Sequence, residues 1–209
     1  MTDLRVYLPI ADLQPQFTAY LCSPIRARAY PPFAGQNSLI VEVSPALSIH
    51  RIADLALKES PELEPGILFT ERQFGLLELH ADEMESLDAA GKAILTGIGA
   101  RAEDQMAPKI LFQDIIENLS DQHAIVLNRS RDGSIVVPGV AMLICEIAPA
   151  LFACVAANEA EKVAPEITIN DVQMMGATGR IFVTGTVANM IVARDRITEF
   201  LAAVVGRRA

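Results

Sequence analysis

The fold is decided by a stretch that occurs twice: SLIVEVSPALSIHRIADLALK at residues 38–58, and MLICEIAPALFACVAANEAEK at residues 142–162. Both copies contain the order Leu-Ile-x-Glu-x-x-Pro-Ala-Leu, and the two copies lie 104 positions apart in a chain of 209 residues. A match at an offset of half the chain indicates an internal duplication. The sequence therefore predicts two copies of one domain in tandem.

The duplication extends well beyond this stretch. Residues 39–80 align without a gap onto residues 143–184, with 12 identical positions among 42. Because the offset is half the chain, the boundary between the two copies is predicted near residues 99–107. We therefore predict a first domain at residues 1–104 and a second at residues 105–209.

One apolar segment, residues 139–157, is nearly long enough to cross a membrane. Glu146 and Pro149 interrupt it, and the first copy of the repeat places His50 and Asp54 where a span needs apolar residues. Because two copies of one domain should share one environment, this segment is interpreted as a buried strand followed by a helix.

Each copy of the repeat predicts a core strand, a helix, two further strands and a closing helix. The prolines Pro45 and Pro149 are expected in the first turn of the helix that follows the core strand, where proline is tolerated. Gly75 and Gly179 are expected at the turn between the two further strands. The segments before each core strand are less regular in pattern. The unit is therefore predicted to be α+β, a small mixed or antiparallel sheet with two helices on one face.

Composition excludes several functional classes. The net charge of −9 leaves no basic surface for nucleic acid and disfavours an anionic membrane. The apolar share of 51% and the mean hydropathy of +0.31 favour an oligomer with extra buried surface. Cys22, Cys145 and Cys154 form no CxxC pair, so neither a disulfide framework nor a zinc ribbon is predicted. The N-terminal sequence lacks a signal-peptide pattern, which favours a cytoplasmic location.

Candidate catalytic residues are few. His50, His80 and His123 are widely spaced, and none is repeated in the other copy. No hydrolase, phosphate-loop or metal-protease motif occurs in the sequence, and no Cys/His set suits a cluster, so no metal and no cofactor are predicted. Isolated histidines of this kind are more often structural than catalytic.

Two pairs of charged positions are more informative. Glu71 and Arg72 fall at the connection between two predicted strands, and their counterparts in the second copy are Met175 and Gly176. Adjacent opposite charges on a loop are usually solvated and contribute little to stability. The lysines Lys58 and Lys162 occupy one repeat position near the ends of the first helices, where a cation is favourable.

The order of these elements resembles that of bacterial microcompartment shell proteins, in particular the tandem-domain class that forms trimers. The fuller likeness lies at residues 142–193, where ANEAEK and GRIFVTGTVANMIVA resemble the shell domain's first helix and its final strand and helix. Residues 39–95 match in the same order. Because each helix–strand–strand–helix block follows extra strands, the arrangement resembles the circularly permuted variety of this domain.

The resemblance implies that three chains form a pseudo-hexagonal disc, a pseudo-hexameric trimer, which tiles edge to edge with other shell proteins in a cytoplasmic microcompartment shell. Lys58 and Lys162 match the lysine at the tile edge. The loop with Glu71 and Arg72 matches the pore loop of gated permuted trimers, through which small metabolites pass. Both single and face-to-face stacked trimers are consistent with the resemblance.

The resemblance also gives a reason for the divergence of the second copy. With Met175 and Gly176 in place of the charged pair, only one repeat would project gate residues at the three-fold axis. Three copies of Glu71 and Arg72 would then pair across a closed pore and swing aside in an open one, and charge at a constriction filters what passes.

Two other functions remain as alternatives at this point. One is a duplicated α+β regulatory protein that binds a small molecule. The other is an enzyme that uses His50 or His123. A ligand that raises thermal stability would favour the first, and turnover that depends on a histidine would favour the second.

Overall fold

The computed structural model of the chain describes residues 2–23 and 29–208, except for the side chain of Glu71. The described chain forms two compact units. The first contains the residues up to Ala107 together with the segment that starts at Val205, and the second is Pro108–Val204. The last residues of the chain therefore pack with the first unit, although the repeat assigns them to the second copy.

The first unit is a four-stranded antiparallel sheet with helices. Its elements are β1 (Asp3–Ile10), α1 (Pro15–Leu21), β2 (Asn37–Ser44), α2 (Ser48–Glu59), β3 (Glu64–Glu71), β4 (Phe74–Ala81), α3 (Met84–Ile98) and a 3-10 turn (Ala102–Asp104). The strands lie in the order β1-β2-β4-β3, and every neighbouring pair is antiparallel.

The second unit repeats this arrangement. Its elements are β5 (Lys109–Ile116), α4 (Asp121–Asn128), β6 (Ala141–Ala148), α5 (Phe152–Val163), β7 (Thr168–Gln173), β8 (Gly179–Gly185) and α6 (Val187–Ala203). The strand order β5-β6-β8-β7 is again antiparallel throughout. The α+β class predicted from the sequence is confirmed, and the sheet is antiparallel rather than mixed. No helix among the described residues is long and apolar enough to span a membrane.

The inner face of each sheet, defined as the face that packs against the two long helices, holds the main core. In the first unit, alternate residues of β2 and β4 meet α2 and α3 there. The α2 residues Ile49, Ile52 and Ala56 are fully buried, as their helical spacing predicts. The burial of these aliphatic side chains is the main source of the unit's stability.

The outer face, on the other side of the sheet, is covered in the second unit by α4. Ala124 of α4 packs there in a small cluster with Leu119, Val136 and Met142. The segments before the core strands, which were predicted to be less regular, are in fact a full strand and a short helix in each unit.

Two local predictions are wrong in an instructive way. Pro45 lies outside the helix, because α2 begins at Ser48. Gly75 is not at the turn, because it pairs with Val43 inside the sheet. A Cβ atom at Gly75 would overlap the carbonyl oxygen of Ala46, so glycine is required there by close approach of the chain rather than by turn geometry.

The same corrections apply to the second unit. The helix α5 begins at Phe152, three residues after Pro149, and Gly179 is the first residue of β8. A Cβ atom at Gly179 would overlap the carbonyl oxygen of Ala150. The duplicated glycine therefore has one physical role in both units.

The segment at residues 205–208 is held to the first unit by both backbone and side-chain bonds. The backbone N–H of Arg207 donates to Gln105 O at 2.7 Å, and the N–H of Ala107 donates to Arg207 O at 2.8 Å. The Arg207 guanidinium binds the carboxylate of Asp3 at 2.6 and 2.7 Å. Both contacts come from the single nitrogen Nη2, and charge-assisted hydrogen bonds of this kind are stronger than neutral ones.

Candidate functional site

The connection between β3 and β4 is a tight hairpin at one end of the first sheet. Glu71, the last residue of β3, pairs with Phe74, the first residue of β4, and the two residues between them, Arg72 and Gln73, are exposed. The side chain of Glu71 lies outside the described part of the structure. The hairpin therefore presents Arg72 to solvent at its tip.

The corresponding connection in the second unit is longer and more deeply packed. It runs over residues 174–178 between β7 and β8, and Met174 is fully buried, with its sulfur 3.9 Å from Cys154 Sγ. Met175 and Gly176 are partly buried, and Gly176 has φ +114°. The second unit thus presents an apolar, anchored loop where the first presents a polar tip.

The base of the hairpin in the first unit is held by a buried ion pair. Arg5 Nε donates to Glu42 Oε2 at 2.8 Å, and the side chains are 16% and 5% exposed. The guanidinium carbon lies 3.6 Å from the ring centroid of Phe74, a cation–π contact. Arg5 therefore links the strand β1 to the first residue after the tip.

The duplicated glutamate of the second unit, Glu146, recruits different partners. Thr178 Oγ1 donates to Glu146 Oε1 at 2.7 Å, and Arg180 donates to the same oxygen at 3.0 Å. These bonds, with Thr178 first, lower the pKa of the Glu146 carboxyl below its ordinary value. In both units the glutamate of a central strand, Glu42 or Glu146, binds an arginine near the connection between the last two strands. The arginine comes from β1 in the first unit and from β8 in the second.

The two duplicated lysines also differ in their surroundings. Lys58 is 74% exposed and its Nζ lies 2.7 Å from Asp54 Oδ2 on the same helix face. Lys162 is 25% exposed, and its Nζ lies 3.2 Å from Glu159 Oε1. Glu159 is also bound by Arg196 of α6. Lys58 is therefore free to reorient toward a neighbour at little cost, whereas Lys162 is part of a packed ionic group.

The three histidines fall into two classes. His50 on α2 and His123 on α4 are exposed, as expected of surface residues. His80 on β4 is fully buried on the outer face of the sheet. Its cross-strand neighbours in the ladder are Ser38 on β2 and Glu64 on β3, so three polar side chains share one row across the sheet.

A buried carboxylate completes this group. Glu78 lies two residues before His80 on the same face of β4 and is fully buried. Ser38 Oγ donates to Glu78 Oε1 at 2.7 Å, and His80 Nδ1 lies 3.2 Å from Glu78 Oε2. Gly66 leaves the space, because a Cβ atom there would overlap the Glu78 carboxylate. We call Ser38, Glu64, Glu78 and His80 the outer-face cluster.

The outer-face cluster has no counterpart in the second unit. The equivalent residues at the repeat offset are Met142, Thr168, Phe182 and Thr184. Sequence reasoning set His80 aside as an isolated histidine because its partners are 2, 16 and 42 positions away. The alternation of Glu78 and His80 with Leu77 and Leu79 was the one available signal, since it places polar residues on a buried strand. Among the described residues, no group of three or more His, Cys, Asp or Glu side chains is placed to hold a metal ion.

Comparison with known proteins identifies the family. A family model described as the CsoS1D N-terminal domain matches residues 4–104. The carboxysome shell protein CcmP of Synechococcus elongatus is 35% identical over 205 residues, which cover 98% of this chain and 94% of CcmP. The carboxysome shell protein CsoS1D of Hydrogenovibrio crunogenus is 33% identical over 202 residues, 96% of this chain and 97% of its own length.

Solved structures agree with these relatives. The double-ringed trimeric shell protein MSM0271 of the RMM microcompartment is 53% identical, has a TM-score of 0.96 and matches over 100% of both chains. The fused permuted hexameric shell protein MSM0275 of the same microcompartment is 40% identical, has a TM-score of 0.92 and covers 98% of this chain and 99% of its own.

These matches confirm the resemblance found in the sequence. The relatives are named as shell proteins, which supports a structural role and sets aside an enzyme built on His50 or His123. The match extends over nearly the whole length and therefore includes both copies of the repeat. The chain belongs to the family of permuted, tandem-domain microcompartment shell proteins that includes CcmP and CsoS1D.

Proposed function

We propose that three copies of this chain form a pseudo-hexagonal tile of a microcompartment shell, with a central pore lined by the β3–β4 hairpin of the first unit. The full-length similarity to a trimeric shell protein, at 53% identity and a TM-score of 0.96, carries this proposal.

The difference between the two first helices supports a ring of this kind. The helix α5 is buried over nearly its whole length, from Phe152 to Glu161. The helix α2 buries one face and exposes His50 and Asp54, and Leu47 immediately before it is also exposed. Because the two helices occupy one repeat position, we place a neighbouring chain on the exposed face of α2. An apolar side chain such as Leu47, 74% exposed, favours that contact.

The pore residues follow from the asymmetry of the two hairpin connections. Arg72 projects from a two-residue tip, and Glu71 precedes it, whereas Met175 and Gly176 belong to a loop anchored by buried Met174. Three copies of the polar tip would then meet at the axis. Pairing of the three Glu71 with the three Arg72 would close the pore to small metabolites, and separation would open it.

The pore is tested by imaging the assembled protein with electron microscopy. We expect flat three-fold particles in two pore states for the natural chain, and an open pore alone for Glu71→Ala/Arg72→Ala. Gln73→Ala, at the same exposed tip, is the matched control and should retain both states. Monomers or dimers would refute the tile, and two pore states in the double variant would refute the gate while leaving the tile intact.

The tile edge is a separate proposal. We place Lys58 and Lys162 at the contact between neighbouring tiles, because both stand in the last turn of the same repeat helix. Lys58→Ala/Lys162→Ala should reduce the formation of extended sheets while leaving single tiles unchanged. Lys92→Ala, an exposed lysine on α3, is the control. Sheets of normal extent from the double variant would contradict this assignment.

One observation favours a second ring stacked face to face on the first. The second unit exposes apolar side chains on β5, α4 and the following loop, whereas β1 in the first unit is buried at alternate positions. These exposed residues are Leu111, Phe112, Ile125, Val126, Ile135 and Val137. MSM0271 is a double-ringed trimer. We propose that a second ring of this chain covers the surface, so Phe112→Glu should halve the mass measured by light scattering.

A further inference from the structure

A small cavity lies on the outer face of the second sheet, between the sheet, α4 and the loop that follows α4. Its apolar wall is formed by Leu127, Val136, Met142 and Phe182. Its polar wall is formed by Ser130, Arg131, Asn170, Asp171 and Gln173. The cavity measures about 30 Å³, which exceeds the about 10–15 Å³ that one water molecule needs and leaves room for a ligand of only a few heavy atoms. Ser130 is exposed, so the cavity opens to solvent on that side.

A bulge in β7 brings two polar side chains to this cavity. The register of β7 against β8 shifts between Ile169 and Asp171, so Asn170 is the extra residue. Neighbouring residues of a regular strand point to opposite faces, whereas Asn170 and Asp171 both line the one cavity. Bulges re-aim side chains in this way and are frequent beside functional sites. Asn170 is fully buried and Asp171 is 4% exposed, so both side chains are shielded from bulk water.

Asn170 presents a hydrogen-bond acceptor that lacks a donor. Its side-chain Nδ2 donates to the carbonyl oxygens of Ser134 and Ile135, at 3.2 and 3.1 Å. Because carbonyl oxygens only accept, the amide must face them with its nitrogen, and Oδ1 is left on the other side. Asn170 Oδ1 is buried and has no hydrogen-bond partner within the described residues. An unpaired buried acceptor destabilises the fold, so a donor on a bound ligand is favourable here.

Asp171 presents a second such acceptor, on a carboxyl group. Gln173 Nε2 donates to Asp171 Oδ2 at 3.1 Å, whereas Oδ1 is buried and has no hydrogen-bond partner in the described chain. Burial raises the pKa of the Asp171 carboxyl, the hydrogen bond from Gln173 opposes the rise, and the charge of Asp132 adds to it. The backbone N–H groups of Val172 and Asp132 lower the pKa more weakly, and among the described residues no lysine or arginine contributes. A cation in the cavity would stabilise the ionised carboxyl, which burial alone disfavours.

We propose that this cavity binds the primary ammonium group of a small amine. An ammonium group has three N–H donors and one positive charge. The polar wall offers three oxygen acceptors, Asn170 Oδ1, Asp171 Oδ1 and Ser130 Oγ, and the hydroxyl of Ser130 can accept while it donates to Leu127 O at 3.4 Å. Water or an alcohol brings no charge to Asp171, so the ammonium fits this set better. The short apolar part of the amine packs against the apolar wall.

The arginine of the polar wall is already engaged with the protein. Arg131 Nε donates to Asn128 Oδ1 at 2.8 Å, and its Nη1 donates to Gly133 O. Arg131 therefore holds the loop over the cavity rather than pairing with Asp171. The first unit has Gly66 and Ile67 at the positions of Asn170 and Asp171, so it lacks both acceptors. The proposal therefore predicts one amine per chain rather than two.

The test is titration of methylammonium chloride into the full-length, assembled protein, followed by saturation-transfer NMR of the methyl signal. We expect saturable binding at pH 7, weakened at least tenfold by Asp171→Asn, which keeps the shape of the side chain and removes its charge. Asp114→Asn removes an exposed carboxylate from β5 of the same unit and should leave the affinity unchanged. Tetramethylammonium carries the same charge without an N–H donor, and methanol has a donor without the charge, so neither should compete.

A second readout uses the natural chain alone. Binding should weaken as the pH falls from 7 toward 4, because protonation of Asp171 removes the charge that holds the ammonium, while the amine itself stays protonated. The proposal would be overturned by absence of saturable binding, by full affinity in Asp171→Asn, by equal loss in Asp114→Asn, by competition from tetramethylammonium or methanol, or by an affinity that does not change with pH. The cavity lies within the second unit and the tile can form in any of these cases, so failure here is distinct from failure of the shell function.

Discussion

The outer face of the sheet holds a buried carboxylate and an imidazole, Glu78 and His80, in the first unit, and a phenylalanine and a threonine, Phe182 and Thr184, at the same positions in the second. Glu78 pairs across the strands with Ile67, whereas its counterpart Phe182 pairs with Asp171. One acidic side chain thus occupies this strand pair in each unit, but on opposite strands. The inner face by contrast keeps its aliphatic character in both copies.

A bulge in the edge strand shows how the sheet accommodates the different outer-face side chains of the two units. Both β3 and β7 shift register at one position, Gly66 in the first unit and Asn170 in the second. Gly66 makes room for the Glu78 carboxylate. The side-chain amide of Asn170 instead donates to the carbonyl oxygens of Ser134 and Ile135, at 3.2 and 3.1 Å. A bulge leaves one residue unpaired and interrupts the ladder only locally, so the residue at this position can differ between the two units.

The inner face changed little because two helices must pack on it, and close packing tolerates few substitutions. The outer face carries a shorter helix and longer loops, and these can change their conformation to accommodate different side chains. The comparison teaches that the shared half of the fold is the layer between the sheet and the long helices, and that the two units differ most in the side chains of the other layer.

The largest expected effect tests the shared layer. Gly75→Ala places a Cβ atom against the carbonyl oxygen of Ala46 and the side chain of Ile49, and we expect a loss of about 3 kcal/mol in the free energy of unfolding. Gly179→Ala should cost a similar amount, because Ala150 and Ala153 stand in the same relation to it. Thermal unfolding monitored by circular dichroism measures both.

Gly185→Ala is the control for these glycine variants. The nearest atom to a Cβ atom there is the terminal methyl carbon of Met190 at 3.1 Å, which can move. A small change in its unfolding midpoint is expected. Equal midpoints for all three variants would contradict the role of close approach, and a large difference between Gly75→Ala and Gly179→Ala would break the equivalence of the two units.

A somewhat smaller effect tests the divergent layer. Glu78→Leu removes the acceptor of both Ser38 and His80, and leaving buried polar groups unpaired costs about 1–3 kcal/mol. Transfer of the second unit's residues, Ser38→Met/Glu78→Phe/His80→Thr, removes the hydroxyl, the carboxylate and the imidazole together and introduces only the threonine hydroxyl at position 80. Its cost should be smaller than the sum of the three single changes, because the partners no longer remain unsatisfied. Unfolding in urea gives these free energies, and strict additivity would contradict the coupling.

The smallest expected effect is a gain in stability rather than a loss. Burial raises the pKa of Asp171 above its ordinary value of 3.8, so the fold favours the protonated carboxyl. The stability that Asp171 contributes is present below pH 3.8 and is lost as the pH rises through the folded-state pKa. Asp171→Asn should therefore raise the unfolding midpoint at pH 7, and the gain should shrink toward pH 4.

The control for this variant is Asp114→Asn, an exposed aspartate on β5 of the same sheet. Its unfolding midpoint should depend little on pH relative to the natural chain. A lower midpoint for Asp171→Asn at pH 7 would show that the ionised carboxyl stabilises the second unit, and that the two acidic positions of the units are not comparable.

Much of the fold could be predicted because the duplication shows the sequence pattern of each element twice. The apolar run at residues 39–43 recurs 104 positions later, and the helical spacing of Ile49, Ile52 and Ala56 recurs as three alanines. Local periodicity of this kind reports which face of an element is buried. The exposed positions of His50 and Arg72 also follow from local pattern. Where the pattern misled, at Gly75, the cause was a contact with a segment 29 positions away.

The candidate sites likewise divide into those set by local sequence and those set by contacts between distant residues. The sequence by itself determined that the chain is a duplicated α+β protein of the shell type and that Glu71 and Arg72 sit at a strand connection, because repeat spacing and turn position are local properties. Tertiary structure alone decided that Ser38, Glu64, Glu78 and His80 converge, and that Arg207 binds Asp3. Strand register and chain packing bring together residues that are distant in sequence, and the free energy of those contacts depends on the whole sheet rather than on any one segment.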